Sequence, residues 1–212
     1  MDALYPLAAT VAAYLLGSLA FAVLVSKAMG LNDPRTFGSK NPGATNVLRS
    51  GSKAAAAVTL LLDAMKGFVP VVLVKVFGGR YGLGEGTEAL VGLAAFLGHL
   101  YPVFFRFQGG KGVATFIGVV FGVHWALGVA TGLTWLIIAF FFRYSSLASL
   151  VSAVFAPVYY LLGGGIAWDA DAPIAAALFA MALLLAWRHR ANIERLVQGK
   201  ESRLGSKKAK AG

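Results

Sequence analysis

Long apolar runs alternate with short polar loops along this chain, and the runs are bilayer-length, since a helical crossing needs about 20 residues. Ala3 to Ser26 is uncharged and predicts a first span, too long for a signal-peptide core and without a basic leader. Ala54 to Phe77, interrupted by Asp63, Lys66 and Lys75, predicts a second, and Ala89 to Phe105 a slightly short third. The uncharged run from Gly112 to Phe142 would be about 46 Å long as one helix, so it is one tilted helix or two short ones turning near His124. Tyr144 to Trp168 and Ala172 to Trp187 complete the series.

Lysine and arginine decide between six and seven crossings, because short loops rich in them stay on the cytoplasmic side. With seven, one side receives Lys27, Arg35, Lys40, Arg49 and Lys53, then Arg106 and Lys111, then Arg143, then eight basic residues between Arg188 and Lys210. The other side receives Arg80 with Asp2, Glu85, Glu88, Asp169 and Asp171. The expected fold is therefore all-α, a polytopic transmembrane bundle of seven helices with the N-terminus outside and the C-terminus cytoplasmic. Residues 1–201 form a single transmembrane domain. From Arg188 to Lys200, Ile193, Leu196 and Val197 recur at helical spacing among charges, which predicts an amphipathic extension along the interface. Residues 202–212 read as a basic, disordered tail.

A hydrophobic content of 58% over 212 residues lies far above the roughly 45–50% of a soluble domain, which excludes a water-soluble core. The absence of cysteine removes disulfides, thiolate metal sites and thiol nucleophiles. The formal charge of +10 is interleaved with the apolar runs, so the anion it meets is phospholipid or a phosphorylated substrate and not nucleic acid.

The loops on the basic side carry the candidate chemistry. The first reads Gly38-Ser39-Lys40-Asn41-Pro42-Gly43-Ala44-Thr45-Asn46, followed by Arg49. Its glycines let backbone N–H groups converge on an anion, Ser39, Thr45 and Asn41 or Asn46 add hydrogen bonds, and Arg49 offers a planar cationic fork. The bland alternative is a turn-rich loop capped into the next helix. A second loop, Gly109-Gly110-Lys111-Gly112, precedes an apolar run, so a lysine and glycine turn sit at a helix N-terminus, though without the spacing of a P-loop. Arg143-Tyr144-Ser145-Ser146 adds a third cluster, which is otherwise an anchor with a serine N-cap. Near the end of the last run, His189 and Asn192 share a helix face, with Glu201 following; His189 is a general base, a substrate-orienting group, or an interfacial histidine bonded to a carbonyl. Asp63 and Lys66, three apart inside a span, pair either functionally or as a brace beneath the loops. His99 and His124 stand alone and read as structural, and no histidine and carboxylate cluster has metal-ligand spacing.

In order and spacing these segments resemble the bacterial acyl-phosphate:glycerol-3-phosphate acyltransferase family. The likeness continues through Asp63-Ala64-Met65-Lys66-Gly67, Gly98-His99, Pro102-Val103-Phe104, Gly109 to Thr115, Arg143 to Ser149, and His189 with Asn192 and Glu201. The family's first motif often has glycine where this chain has Lys40. The His-x-x-x-x-Asp signature of other glycerolipid acyltransferases is absent.

The resemblance implies transfer of an acyl group from acyl phosphate to the 1-hydroxyl of glycerol 3-phosphate. The products are lysophosphatidic acid and phosphate, made at the cytoplasmic face of a bacterial inner membrane. It implies no cofactor and no metal. The implied partners are the two substrates, membrane lipid and the soluble enzyme that makes acyl phosphate. Ser39, His189 and Asn192 are the expected catalytic residues. Arg49, Lys111, Gly43, Thr45, Gly109, Gly110, Gly112, Ser145 and Ser146 would hold phosphate, with Asp63, Lys66 and Glu201 in support. Acyl phosphate has a good leaving group, so positioning and charge stabilisation suffice without an acyl-enzyme; covalent catalysis through Ser39 is the other route. A transporter for a phosphorylated solute is the competing class, against which stand the one-sided basic loops and the lack of an inverted repeat.

Overall fold

The computed structural model describes residues 4–205, which form an all-helical bundle. The first apolar run folds as α1 (Leu4–Gly17) and α2 (Phe21–Ala28), bent by 45°. The bend frees the Leu19 carbonyl, and the Lys66 ammonium donates to it at 2.7 Å. A single turn, α3 (Ala44–Leu48), sits in the first loop, and α4 (Lys53–Phe77) follows, its N-terminus capped by Ser52 Oγ accepting from the Ala55 N–H. Then come α5 (Glu85–Leu100), α6 (Val113–Val123) and α7 (Trp125–Phe142). The long uncharged run is therefore two helices. His124 breaks it in an extended conformation, its Nδ1 accepting from the Ala126 N–H at 3.3 Å to cap α7. The bundle ends with α8 (Ser145–Leu162), α9 (Ala172–Arg188) and the short polar α10 (Arg190–Val197), which turns 60° away from α9.

Four helical stretches, Lys53–Tyr81, Glu85–Phe105, Trp125–Phe142 and Ser145–Leu162, are long and apolar enough to cross a bilayer, and the two bent pairs raise the number to six. The remaining apolar segment, α6, has 11 residues, about 16 Å of helix against a hydrocarbon core of about 30 Å. It is short because it is interior: Phe116, Val119 and Val120 are fully buried, whereas Phe140, Phe141 and Phe142 at the end of α7 face outward as lipid contacts would.

Helices approach closely at small residues. A Cβ at Gly67 would lie 2.2 Å from the Thr115 carbonyl oxygen, and one at Gly118 would lie 1.9 Å from that of Ala64, so only glycine fits at the α4–α6 crossing. Thr115 Oγ1 also donates to the Asp63 carbonyl at 2.9 Å, and Gly122 abuts Val71, so α4 and α6 run side by side in the same direction. This register starts α6 on the order of 12 Å along α4 from the N-terminus of α4. The loop before α6 is thereby recessed into the bundle.

Candidate active site

Loop one is organised by an asparagine. Asn46, buried as the third residue of α3, donates from Nδ2 to the carbonyls of Pro34 (2.6 Å) and Phe37 (3.2 Å) and accepts the Ser39 N–H on Oδ1 (3.0 Å). Gly38 (φ 60°) and Lys40 (φ 55°) are both left-handed, and a Cβ at Gly38 would collide with Asn46 Oδ1. Lys40 thus occupies a conformation that glycine adopts without penalty. The Ser39 side chain is exposed, as are Thr45 and Arg49, while Gly43 precedes α3 in extended conformation. Thr45 Oγ1 lies 3.5 Å from Ser145 Oγ, which joins loop one to the start of α8.

The second loop is held differently from the anion cradle its sequence suggests. The Gly110 N–H donates to the His99 carbonyl at 3.1 Å, so that donor is spent. The Gly109 and Gly110 carbonyls accept from Arg188, at 2.8 Å from Nη2 and 3.1 Å from Nε. Gly109 and Gly110 are glycine because the loop lies against the end of α5: a Cβ would meet the His99 carbonyl oxygen at 2.1 Å from Gly109 and His99 Nε2 at 2.3 Å from Gly110. Gly112, left-handed at φ 85°, presses on the Phe96 ring and starts α6. The donors left for an anion include the first N–H groups of α6 and the Lys111 side chain.

From Lys111 a polar chain runs across four segments. Lys111 Nζ donates to Asn192 Oδ1; Asn192 Nδ2 donates to Glu201 Oε1 at 2.6 Å; Ser146 Oγ donates to that same oxygen at 2.7 Å. Arg195 Nε donates to Glu201 Oε2 at 2.7 Å. The beginning of α6, the beginning of α8, α10 and the segment after it are thus tied at one point. Ser146 spends its hydroxyl on Glu201, and α8 is capped at Tyr144 with no side-chain bond, so the serine N-cap is not formed. Its free N–H groups, like those of α6, remain for an anion.

His189 sits at the α9–α10 corner, 2% exposed. Its Nδ1 is 2.8 Å from the Leu185 carbonyl, which can only accept, so Nδ1 carries the proton and Nε2 keeps the lone pair. Burial, and then the neighbouring Lys111 charge, push His189 down to about 4, so it is neutral at pH 7. Burial lowers Lys111 to about 8; Glu201 opposes that shift, and Arg195, Arg188 and Arg49 reinforce it. Burial raises Glu201, but the hydrogen bonds from Asn192, Ser146 and Arg195 outweigh it and hold the carboxylate below its ordinary range.

Beneath the loops, Lys66 Nζ lies 2.8 Å from Asp63 Oδ1, and His99 Nδ1 lies 3.5 Å from the same oxygen. The expectation that His99 stands alone is corrected: α5 carries it onto the Asp63–Lys66 pair, a juxtaposition across helices that no sequence spacing encodes. Asp63 and Lys66 connect to the upper site through His99, which abuts Gly110, and through the bond from Thr115 Oγ1 at the start of α6 to the Asp63 carbonyl. His124 forms its own contacts at the far end, 4.8 Å from the Trp168 ring.

Sequence reasoning passed over Arg188, which clamps the second loop, and gave Asn46 no priority over Asn41. The only available signal for Arg188 was its place beside His189. The segment after Glu201 also packs: Arg49 Nη2 donates to Ser202 Oγ (3.1 Å), and Arg143 exchanges backbone and side-chain bonds with Leu204. The expectation of a disordered tail otherwise falls on residues 206–212, outside the described residues.

A family model described as glycerol-3-phosphate acyltransferase matches residues 7–199. A glycerol-3-phosphate acyltransferase of Albidiferax ferrireducens is 67% identical, over 98% of this chain and 92% of its own, and one of Burkholderia pseudomallei is 63% identical over 95% and 97%. The crystal structure of PlsY (YgiH), an integral membrane glycerol 3-phosphate acyltransferase, in its glycerol 3-phosphate form superposes with a TM-score of 0.86 at 40% identity, covering 95% of this chain and 96% of that one. Its lysophosphatidic acid form superposes with a TM-score of 0.84 at 39% identity and the same coverage.

Proposed function

Because the chain belongs to the glycerol-3-phosphate acyltransferase family, integral membrane enzymes of phospholipid synthesis that produce lysophosphatidic acid, we propose that it transfers the acyl group of acyl phosphate to the 1-hydroxyl of glycerol 3-phosphate. The hydroxyl oxygen bonds to the acyl carbonyl carbon, the carbon–oxygen bond to phosphate breaks, and the hydroxyl proton ends on the departing phosphate. The observation that carries this reading is the chain from Lys111 through Asn192 and Glu201 to Ser146, which gathers helix N-termini and cations from separate loops around one recess.

In this reading Arg49 and Lys111 hold glycerol 3-phosphate, while Ser39, Gly43, Thr45 and Ser145 with the N-terminus of α8 receive the acyl-phosphate end. Gly109, Gly110 and Gly112 let the second loop lie flat enough to aim Lys111 and the start of α6. Glu201 fixes Asn192, and Asp63 with Lys66 supports the loop from below. His189 Nε2 accepts the hydroxyl hydrogen bond and orients it. At about 4 the imidazole is a weaker base than a phosphate, whose second pKa is about 6, so the substrate phosphate is the better terminal proton acceptor.

The concentration of basic residues in these loops supports seven crossings with the N-terminus outside and this face in the cytoplasm of a bacterial inner membrane. A soluble enzyme would supply the acyl phosphate there. Purified protein given acyl phosphate and glycerol 3-phosphate is expected to release lysophosphatidic acid and phosphate in equal amounts. No turnover at any chain length, together with glycerol 3-phosphate flux into vesicles, overturns the assignment. His189→Ala is expected to lower the rate without reshaping the pH profile near pH 6 to 7; loss of an acidic limb there would make His189 the base.

A further inference from the structure

At the end of the bundle opposite these loops, the ends of α4 and α6 and the starts of α5 and α9 frame an open-mouthed cavity of about 290 Å³. By the same kind of measure a single water needs roughly 10–15 Å³, so the cavity takes a group of several heavy atoms. Four carboxylates line it: Glu85 and Glu88 from the first turn of α5, Asp169, and Asp171 at the start of α9. Glu88 is only 8% exposed, and among the described residues its buried Oε1 has no hydrogen-bond partner and its carboxylate forms no ion pair. Lys75 lines the same space, but its ammonium donates to the Val123 carbonyl released where α6 breaks at His124. A buried carboxylate without a direct partner is costly to keep charged, and the one lysine that lines this space spends a hydrogen bond on a backbone carbonyl.

One wall is aromatic. The Tyr160 and Trp168 rings stack at 6.3 Å, and Trp168 is fixed by donating from Nε1 to the Tyr160 carbonyl at 2.8 Å. Among the described residues no group of three or more His, Cys, Asp or Glu side chains could hold a metal ion. Carboxylates that form no metal-binding group, beside an aromatic wall, suit an organic cation that offers several N–H donors to separate oxygens and an alkyl stem to the rings.

We infer that this cavity binds a primary ammonium group, with Glu88 and Asp171 as its anchoring carboxylates and the Tyr160–Trp168 pair as its aromatic wall. The cation comes either from the headgroup of an aminophospholipid or from a soluble amine. The site lies a full helix length from the transfer chemistry and does not depend on that assignment.

The test holds the full protein in nanodiscs of equal phosphatidylethanolamine and phosphatidylglycerol and counts retained lipids by native mass spectrometry, with a parallel thermal titration by ethanolammonium chloride in detergent. If the lipid is the source, phosphatidylethanolamine is retained about fivefold over phosphatidylglycerol. If a soluble amine is the source, ethanolammonium raises the melting temperature and the lipids are retained equally. In either case Glu88→Gln and Asp171→Asn each abolish the effect while acyl transfer continues at the wild-type rate, which shows that the variants fold. Equal lipid retention with no ethanolammonium response, or a preference that survives both substitutions, overturns the proposal in favour of a water-filled cavity.

Discussion

Two buried polar clusters stand one above the other in this bundle, and they are built on opposite principles. The lower one, Asp63 with Lys66 and His99, is closed: one carboxylate meets one ammonium, and the surplus donor capacity of Lys66 goes to the Leu19 carbonyl. The upper one is open. The single carboxylate of Glu201 faces Lys111 and Arg195, with Arg188 and Arg49 close enough to lower Lys111. A charge-balanced cluster gains nothing from an anion, whereas a cluster with excess positive charge would be stabilised by the phosphate of the proposed function.

The most severe break in the comparison is Asp63→Asn, which strands the buried Lys66 ammonium. A loss of about 3–5 kcal/mol in unfolding free energy is expected, recovered in large part by Asp63→Leu with Lys66→Met. The turnover of the molecules that remain folded should persist, and a stable but inactive Asp63→Asn would make the lower cluster catalytic instead of bracing. Asn192→Ala does the reverse in the open cluster. It disconnects Lys111 from Glu201, and kcat/KM for glycerol 3-phosphate should fall by about 10²–10³ with a small change in melting temperature.

A pH profile probes the open cluster next. Lys111 is charged below about 8 and loses its proton above it. Hence kcat/KM, which reports the free enzyme, should decline about tenfold per pH unit on the alkaline side. In Lys111→Arg, whatever its level of activity, that decline should vanish, because guanidinium keeps its charge. The smallest effect belongs to loop one: Lys40→Gly relieves a left-handed residue and should stabilise the protein by about 1 kcal/mol in thermal unfolding. No gain there would mean that the Lys40 side chain forms interactions that offset the backbone cost.

The helical membrane class and the approximate place of each apolar run were legible in the chain because they depend on run length and charge spacing, and excess length marked His124 as a place where the long run could turn; the bend after Gly17, the start of α5 at Glu85 and the end of α8 at Leu162 were not. Lys111, His189 and Asn192 were legible as candidates because each belongs to a short polar segment next to an apolar run, whereas Glu201 entered through the family resemblance. Tertiary structure alone decided what those residues spend their hydrogen bonds on. The Gly110 N–H went to His99 and the Ser146 hydroxyl to Glu201, while Arg188 became a clamp and His99 joined a charge pair from another helix. Each of these is a contact between separate segments of the chain, and those of the second loop follow from the depth at which α6 starts beside α4 and from the glycines that permit it. Sequence spacing specifies faces along one helix; it carries no measure of how far one helix is displaced along the next.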